Sequence, residues 1–242
     1  MQRRLAAIVH ADLAGFTRMM EGAETRTFRH LKSAQIEVWR PAIDAGSGRL
    51  VGTAGDAMLA EFGSAVTAVG AAIDIQERMA RFNEALAVEQ RMLFRVGVHL
   101  GEVIVDEEDQ NIFGDGVNLA ARLEALNKQY GTTILVSGAV AAAVGDEFAL
   151  RRLDRVAVKG KSQGVDVFEL LGYATDSSSV AGARRYEAAL DAYFARDFAA
   201  AIALLDGVTD DPPSALLRER CLALRDEPPP PDWNGVHAAT TK

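Results

Sequence analysis

Arg49-Leu50-Val51-Gly52-Thr53-Ala54-Gly55-Asp56-Ala57-Met58-Leu59-Ala60-Glu61-Phe62 is the stretch whose reading decides the fold. Two short apolar runs, Arg49 to Thr53 and Ala57 to Phe62, flank Ala54-Gly55-Asp56, where glycine tolerates the backbone angles of a tight hairpin. Upstream, Leu5 to Ala11 reads as a buried strand. Phe28, Leu31, Ala34, Ile36, Val38 and Trp39 then recur at near-helical spacing, predicting a helix from Thr25 to about Ala45 that Gly46-Ser47-Gly48 stops. Downstream, Ala65 to about Ala87 reads as a second long helix. Met92 to Val105 is β-rich and contains the alternating segment Phe94-Arg95-Val96-Gly97-Val98. Around the hairpin the order is therefore β-α-β-β-α-β.

That order predicts the α+β class: a split βαβ, ferredoxin-like core whose antiparallel sheet has its helices on one face. Gly116 to Tyr130 continues it as a third helix, Thr133 to Val136 as a strand, and Phe148 to Val158 with Val165 to Leu171 as a closing β pair, giving a first domain over residues 1–172. Residues 173–182, rich in Ser, Ala and Gly and without periodicity, read as a linker. In residues 183–227, Tyr186, Ala189, Leu190 and Tyr193 form one amphipathic face, Phe198 to Leu205 another, and Leu216, Leu217 and Leu224 a third. Two or three short helices of tetratricopeptide-like pattern are expected there. Fewer than three such repeats do not stand alone, so the extension should lean on the first domain or on a partner, a regulatory protein among the candidates. Residues 228–242 form a Pro-rich tail in which Pro228-Pro229-Pro230-Pro231 precedes the anchoring Trp233.

Composition narrows the function classes. The chain of 242 residues is 49% hydrophobic and 25% charged, as globular proteins are, and carries a formal charge of −8. With no long Lys/Arg run, it lacks the basic footprint of a nucleic-acid binder. A single cysteine, Cys221, cannot form an intramolecular disulfide and reads as a small buried residue, which fits a reducing cytoplasmic location. No stretch of about eighteen apolar residues predicts a membrane span. His10, His30, His99 and His237 are scattered without ligand spacing, and Glu107, Glu108 and Asp109 read as a solvated acidic loop.

Chemistry enters with Asp12, at the end of the first strand in His10-Ala11-Asp12-Leu13-Ala14-Gly15-Phe16-Thr17, and with Asp56 in the hairpin. A split βαβ topology sets the first strand beside the hairpin, so the two carboxylates can converge. Two carboxylates that close repel, and a Mg²⁺ or Mn²⁺ site is the natural relief. Gly15 and its neighbours would form a turn whose N–H groups can face phosphate oxygens. In Asn111-Ile112-Phe113-Gly114-Asp115-Gly116-Val117-Asn118-Leu119-Ala120-Ala121-Arg122-Leu123-Glu124, Asn118 and Arg122 are four apart and leave one face of a helix.

Together these segments resemble the class III adenylate and guanylate cyclases, with their Ala-Asp-x-x-Gly-Phe-Thr strand end, Gly-Asp hairpin and Val-Asn-x-Ala-x-Arg helix. Val158-Lys159-Gly160-Lys161 matches the family's later Val-Lys-Gly segment, and the similarity runs over about residues 4 to 171. The helical tail also looks like the extension behind some bacterial cyclase domains. The resemblance implies conversion of ATP to 3′,5′-cyclic AMP and pyrophosphate in cyclic-nucleotide signalling. It implies two Mg²⁺ or Mn²⁺ ions held by Asp12, Asp56 and the Leu13 carbonyl. Gly15, Phe16 and Thr17 would then contact phosphates, Asn118 the ribose, Arg122 the α-phosphate and Lys159 the terminal phosphates. Because the family draws its aspartates from one subunit and Asn, Arg and Lys from the other, a homodimer with shared sites is implied.

At the base-reading positions the chain departs from its relatives. Adenylate cyclases usually place Lys just before the Thr-x-Gly-Asp hairpin and Asp or Thr seven residues before the helix Asn; here Gly52 and Asn111 stand there, with Ile112 beside them. The guanylate-type Glu and Cys are also absent, so ATP is the favoured substrate and GTP the alternative. A guanylate or relaxed-specificity cyclase, or a nucleotide-binding regulatory domain with impaired catalysis, are the competing readings. A diguanylate cyclase is disfavoured because the hairpin lacks Gly-Gly-Asp/Glu-Glu-Phe.

Overall fold

The computed structural model describes residues 2–106, 108, 110–157, 164–175 and 180–236. Lys159 with the rest of the Val158 to Lys161 segment, Glu107, Asp109, His237 and part of the expected linker lie outside the described residues. The chain forms two compact units, Met1–Ala125 and Leu126–Lys242.

In the first unit β1 (Gln2–Leu13) is followed by α1 (Phe16–Ala34), a π-helical turn (Gln35–Trp39), α2 (Arg40–Ala45), the hairpin β2 (Arg49–Ala54) and β3 (Ala57–Phe62), α3 (Ala65–Glu84), β4 (Phe94–Val105), a short β5 (Ile112–Phe113) and α4 (Asp115–Tyr130), within which the unit ends. The strand order is β2-β3-β1-β4, with β5 on β4 and every one of these pairs antiparallel, so the βαββαβ core is present. β1 is central and covered on both faces. Its Ala7, Val9, Ala11 and Leu13 are buried on the side where α3 packs, and Trp39 sets its ring edge-on to Phe94, the register partner of Leu13, at 5.2 Å. Ala6 and Ile8 join Val103, Val105, Ile112 and Ala120 in an apolar cluster on the other side. α4 lies close there: a Cβ on Gly97 would stand 2.1 Å from the Ala120 carbonyl oxygen and 2.9 Å from Leu123 Cβ. α4, which follows the βαββαβ core, thus closes the face opposite α3.

The first helix differs from its sequence reading. It begins at Phe16 rather than near Thr25, because Gly15 (φ 76°) turns the chain directly out of β1 into a helix. A kink at Ala23 (φ −167°, ψ 63°) and the π-helical turn break its period, and Thr27 Oγ1 bridges the kink by donating to the Met19 carbonyl at 3.0 Å. That broken period hid the first turns from a search for regular spacing.

In the second unit, β6 (Ile134–Ser137), α5 (Gly138–Val144), β7 (Phe148–Val156) and β8 (Val165–Tyr173) precede α6 (Val180–Phe194), α7 (Phe198–Leu205) and α8 (Pro212–Asp226), with antiparallel strand order β6-β8-β7. Of the two or three tail helices expected, three form, and they lean on β7. Tyr186 donates to the Leu153 carbonyl at 2.7 Å, the Arg152 N–H donates to Glu187 at 2.8 Å, and Arg220 pairs with the fully buried Asp154 at 2.5 Å. Tyr130 gives its hydroxyl proton to the same Asp154 carboxylate. Trp233 anchors the Pro-rich segment edge-on against Tyr193 at 5.1 Å. Among the described residues no helix is long and apolar enough to cross a membrane.

Candidate active site

Asp12 and Asp56 meet where the end of β1 passes the β2–β3 turn. Register places Ala11 beside Met58, and Gly55 (φ 65°) supplies the left-handed turn that brings Asp56 back over the strand end. The Asp12 side chain and the backbone at Leu13 lie close enough to the Asp56 carboxylate to act on its charge. Burial, then the charge of Asp12, pushes the Asp56 carboxyl up to about 6, from an ordinary value near 3.8.

Two further residues complete this charge cluster. Arg95, the register partner of Asp12, points its guanidinium at that carboxylate at 3.6 Å and donates from Nε to Glu124 at 3.1 Å. Glu124 comes from α4, with a side chain only 7% exposed, and its carboxyl is pushed up to about 7 by burial and by Asp12, against the opposing pull of Arg95. Neither was read from the sequence as part of the site. A signal existed for Glu124, an acid in the stripe of α4 that also buries Leu119, Ala120 and Leu123.

The arrangement fits a divalent cation. Two carboxylates side by side, next to the chain at Leu13, form a hard oxygen donor set whose excess negative charge a cation would neutralise. Gly15 stands at the N-terminus of α1 with Phe16 and Thr17 in the first helical turn, and a cavity of about 470 Å³ opens beside Gly15, lined by Arg18, Arg26, His30 and Arg91.

Asn118 and Arg122 do not turn toward Asp12 as Glu124 does. Glu124 points to Arg95, and on α4 Arg122 leaves the axis about 200° away from Glu124, with Asn118 on the same side as Arg122. Asn118 is exposed and Arg122 half-buried. The structure therefore brings Asp12, Leu13 and Asp56 together, and turns Asn118 and Arg122 away from them. Of the base-reading positions, Gly52 lies in β2 opposite Leu59, with open space where a Cβ would stand. Asn111 precedes β5 and accepts from the Asp106 N–H at 2.9 Å. The Ile112 side chain is buried in the apolar cluster, so only its backbone is left to meet a ligand.

A βαββαβ core with paired aspartates on its first strand and hairpin defines the class, a nucleotide-cyclase-type catalytic domain. Residues 2–172 match the family described as Adenylate and Guanylate cyclase catalytic domain, and the chain belongs to that family. A Rhizobium meliloti (strain 1021) protein is 45% identical over 133 residues, 55% of this chain and 22% of its own length. The adenylate cyclase of Anabaena cylindrica is 30% identical over 184 residues, 69% of this chain and 37% of that protein. The chain thus spans a minor part of these curated relatives. Among solved structures, the adenylate/guanylate cyclase/hydrolase of Silicibacter pomeroyi superposes with a TM-score of 0.61 at 34% identity, covering 70% of this chain and 98% of that one.

Proposed function

We propose that the protein is an adenylate cyclase, converting ATP to 3′,5′-cyclic AMP and pyrophosphate in a cytoplasmic homodimer. The observation that carries this reading is the convergence of Asp12 and Asp56 on one point beside Leu13. These residues would hold two Mg²⁺ or Mn²⁺ ions, which when bound supply activation of the ribose 3′-hydroxyl and neutralisation of the triphosphate. The chain's own part is positioning and electrostatics. Gly15, Phe16 and Thr17 offer first-turn N–H groups to the phosphates, with the arginines beside the turn adding positive field. Asn118 orients the ribose, Arg122 stabilises charge on the α-phosphate and Lys159 binds the terminal phosphates. Because Asn118 and Arg122 face away from Asp12 within one chain, a partner's copies complete each site, and the homodimer has two.

Residues 1–172 form the catalytic domain, 173–182 the linker, 183–227 the helical extension and 228–242 the tail, with the extension open to a regulatory protein. ATP is preferred over GTP, weakly, since Gly52 presents no side chain to the base and Asn111 can both donate and accept. The test is incubation of the purified protein with Mn²⁺ and either ATP or GTP, followed by detection of cyclic product and pyrophosphate. Cyclic AMP in excess of cyclic GMP is expected. Nucleotide binding without product would leave a regulatory cyclase-homology domain instead.

A further inference from the structure

The edge of the sheet beside Gly52 carries an ion cluster that the proposed chemistry does not use. Glu61 of β3 has a side chain only 5% exposed, and its Oε1 accepts from Arg4 at 2.5 Å and from Arg49 Nε at 2.8 Å. Arg49 Nη2 stands 2.7 Å from the same oxygen and also donates to the Gln110 carbonyl at 2.7 Å. Gln110 holds a left-handed backbone (φ 60°), an uncommon state for a residue with a side chain. The next residue is Asn111, whose carbonyl accepts from the Asp106 N–H at 2.9 Å and closes the loop between β4 and β5.

Register places this device on the face of the base-reading positions. Arg49 pairs with Glu61 and Gly52 with Leu59, two positions apart on β3, while a bulge between Leu50 and Gly52 absorbs the extra residue on β2. Arg49 and Gly52 therefore share a face although they are three apart in sequence. A buried carboxylate holding a planar guanidinium through Nε and Nη2 leaves that side chain few rotamers, and Nη2 also carries the hydrogen bond to the loop carbonyl.

We propose that Arg49 is a positioning residue for purine recognition: anchored on Glu61, it fixes the backbone at Gln110 and with it the place of Asn111 at the nucleotide base. Resting on the cyclase reading, this locates selectivity in a loop clamp where the strand itself offers only Gly52.

The test uses the full chain and three measurements: amide exchange over the Asp106–Asn111 loop, dissociation constants for α,β-methylene ATP and GTP with Mn²⁺, and thermal stability. Arg49→Lys keeps the charge facing Glu61 but loses the fork that spans to Gln110, so it should fold. It should speed exchange at the Asp106 amide about ten-fold and shift the ATP-to-GTP affinity ratio by about five-fold. Arg4→Ala removes the other cation from Glu61 without touching Gln110, and should lower stability while leaving the ratio unchanged. An unmoved ratio in Arg49→Lys, or an equal shift in Arg4→Ala, overturns the inference. A natural protein that binds neither analogue overturns the cyclase reading itself, a result distinct from an unmoved ratio.

Discussion

Asp56 is poorly accommodated as an anion in the metal-free chain, since burial and the neighbouring Asp12 hold its carboxyl near 6. Toward acid pH a cation must displace the proton this carboxyl takes up, so Mn²⁺ affinity should fall about ten-fold between pH 7.5 and pH 5, as followed by calorimetric titration. Asp12→Ala or Asp56→Ala should abolish cyclisation with the fold intact by circular dichroism, and near-natural turnover in either would refute the metal assignment. Glu124 makes a separate prediction for the metal-free protein. Its carboxyl is raised from 4.5 to about 7, so between those pH values the folded chain keeps a proton that the unfolded chain has released. Its contribution to stability is therefore present at the acid end and lost as pH rises through that window. Glu124→Gln should flatten this part of the melting profile, and an unchanged slope would assign the dependence to other groups. At the base, Gly52→Lys combined with Asn111→Asp should raise kcat/KM for ATP relative to GTP, because β2 has the room for the new side chain and the pair restores a donor and an acceptor.

The contact of α4 with β4 depends on one residue without a side chain. Gly97→Ala would drive a Cβ to 2.1 Å from the Ala120 carbonyl, backbone that cannot yield without moving the whole helix. A loss of about 2–3 kcal/mol is expected by urea denaturation. Activity should fall further than stability, because the displaced helix carries Asn118, Arg122 and Glu124. The elements whose apolar period is regular were legible in the sequence: β1, the β2–β3 hairpin, α3, β4, the β7–β8 pair and the tail helices. The start of α1 was not, since a kink and a π-helical turn scramble its spacing. The site followed the same pattern. The meeting of Asp12 and Asp56 was legible because the topology sets a strand end beside a Gly-Asp turn. Arg95 and Glu124 escaped because their roles come from register and helix packing, which appear only once β1 lies against β4 and α4 against Gly97.

At the scale of the whole molecule, the decisive geometry is the turn of α4. Its Glu124 faces Arg95 beside Asp12, which leaves Arg122 about 200° around the axis, turned from the aspartates of its own chain. If cyclisation needs Asp12, Asp56, Asn118 and Arg122 at one point, two chains must share the work, one bringing Asp12 and Asp56, the other Asn118 and Arg122. Chains carrying Asp56→Ala and chains carrying Arg122→Ala should each be inactive alone. When they are mixed under conditions that allow subunit exchange, a heterodimer pairs one site lacking both groups with one site that is whole. With random exchange half of the dimers are mixed, each with one of its two sites intact, so activity should return to about a quarter of the natural level, consistent with two-fold symmetric sites. The measurement is cyclic product formed by the mixture, with exchange followed independently by mass-tagged subunits. Activity that fails to return while tagged heterodimers accumulate would place all four residues in one chain's site and overturn the shared-site reading.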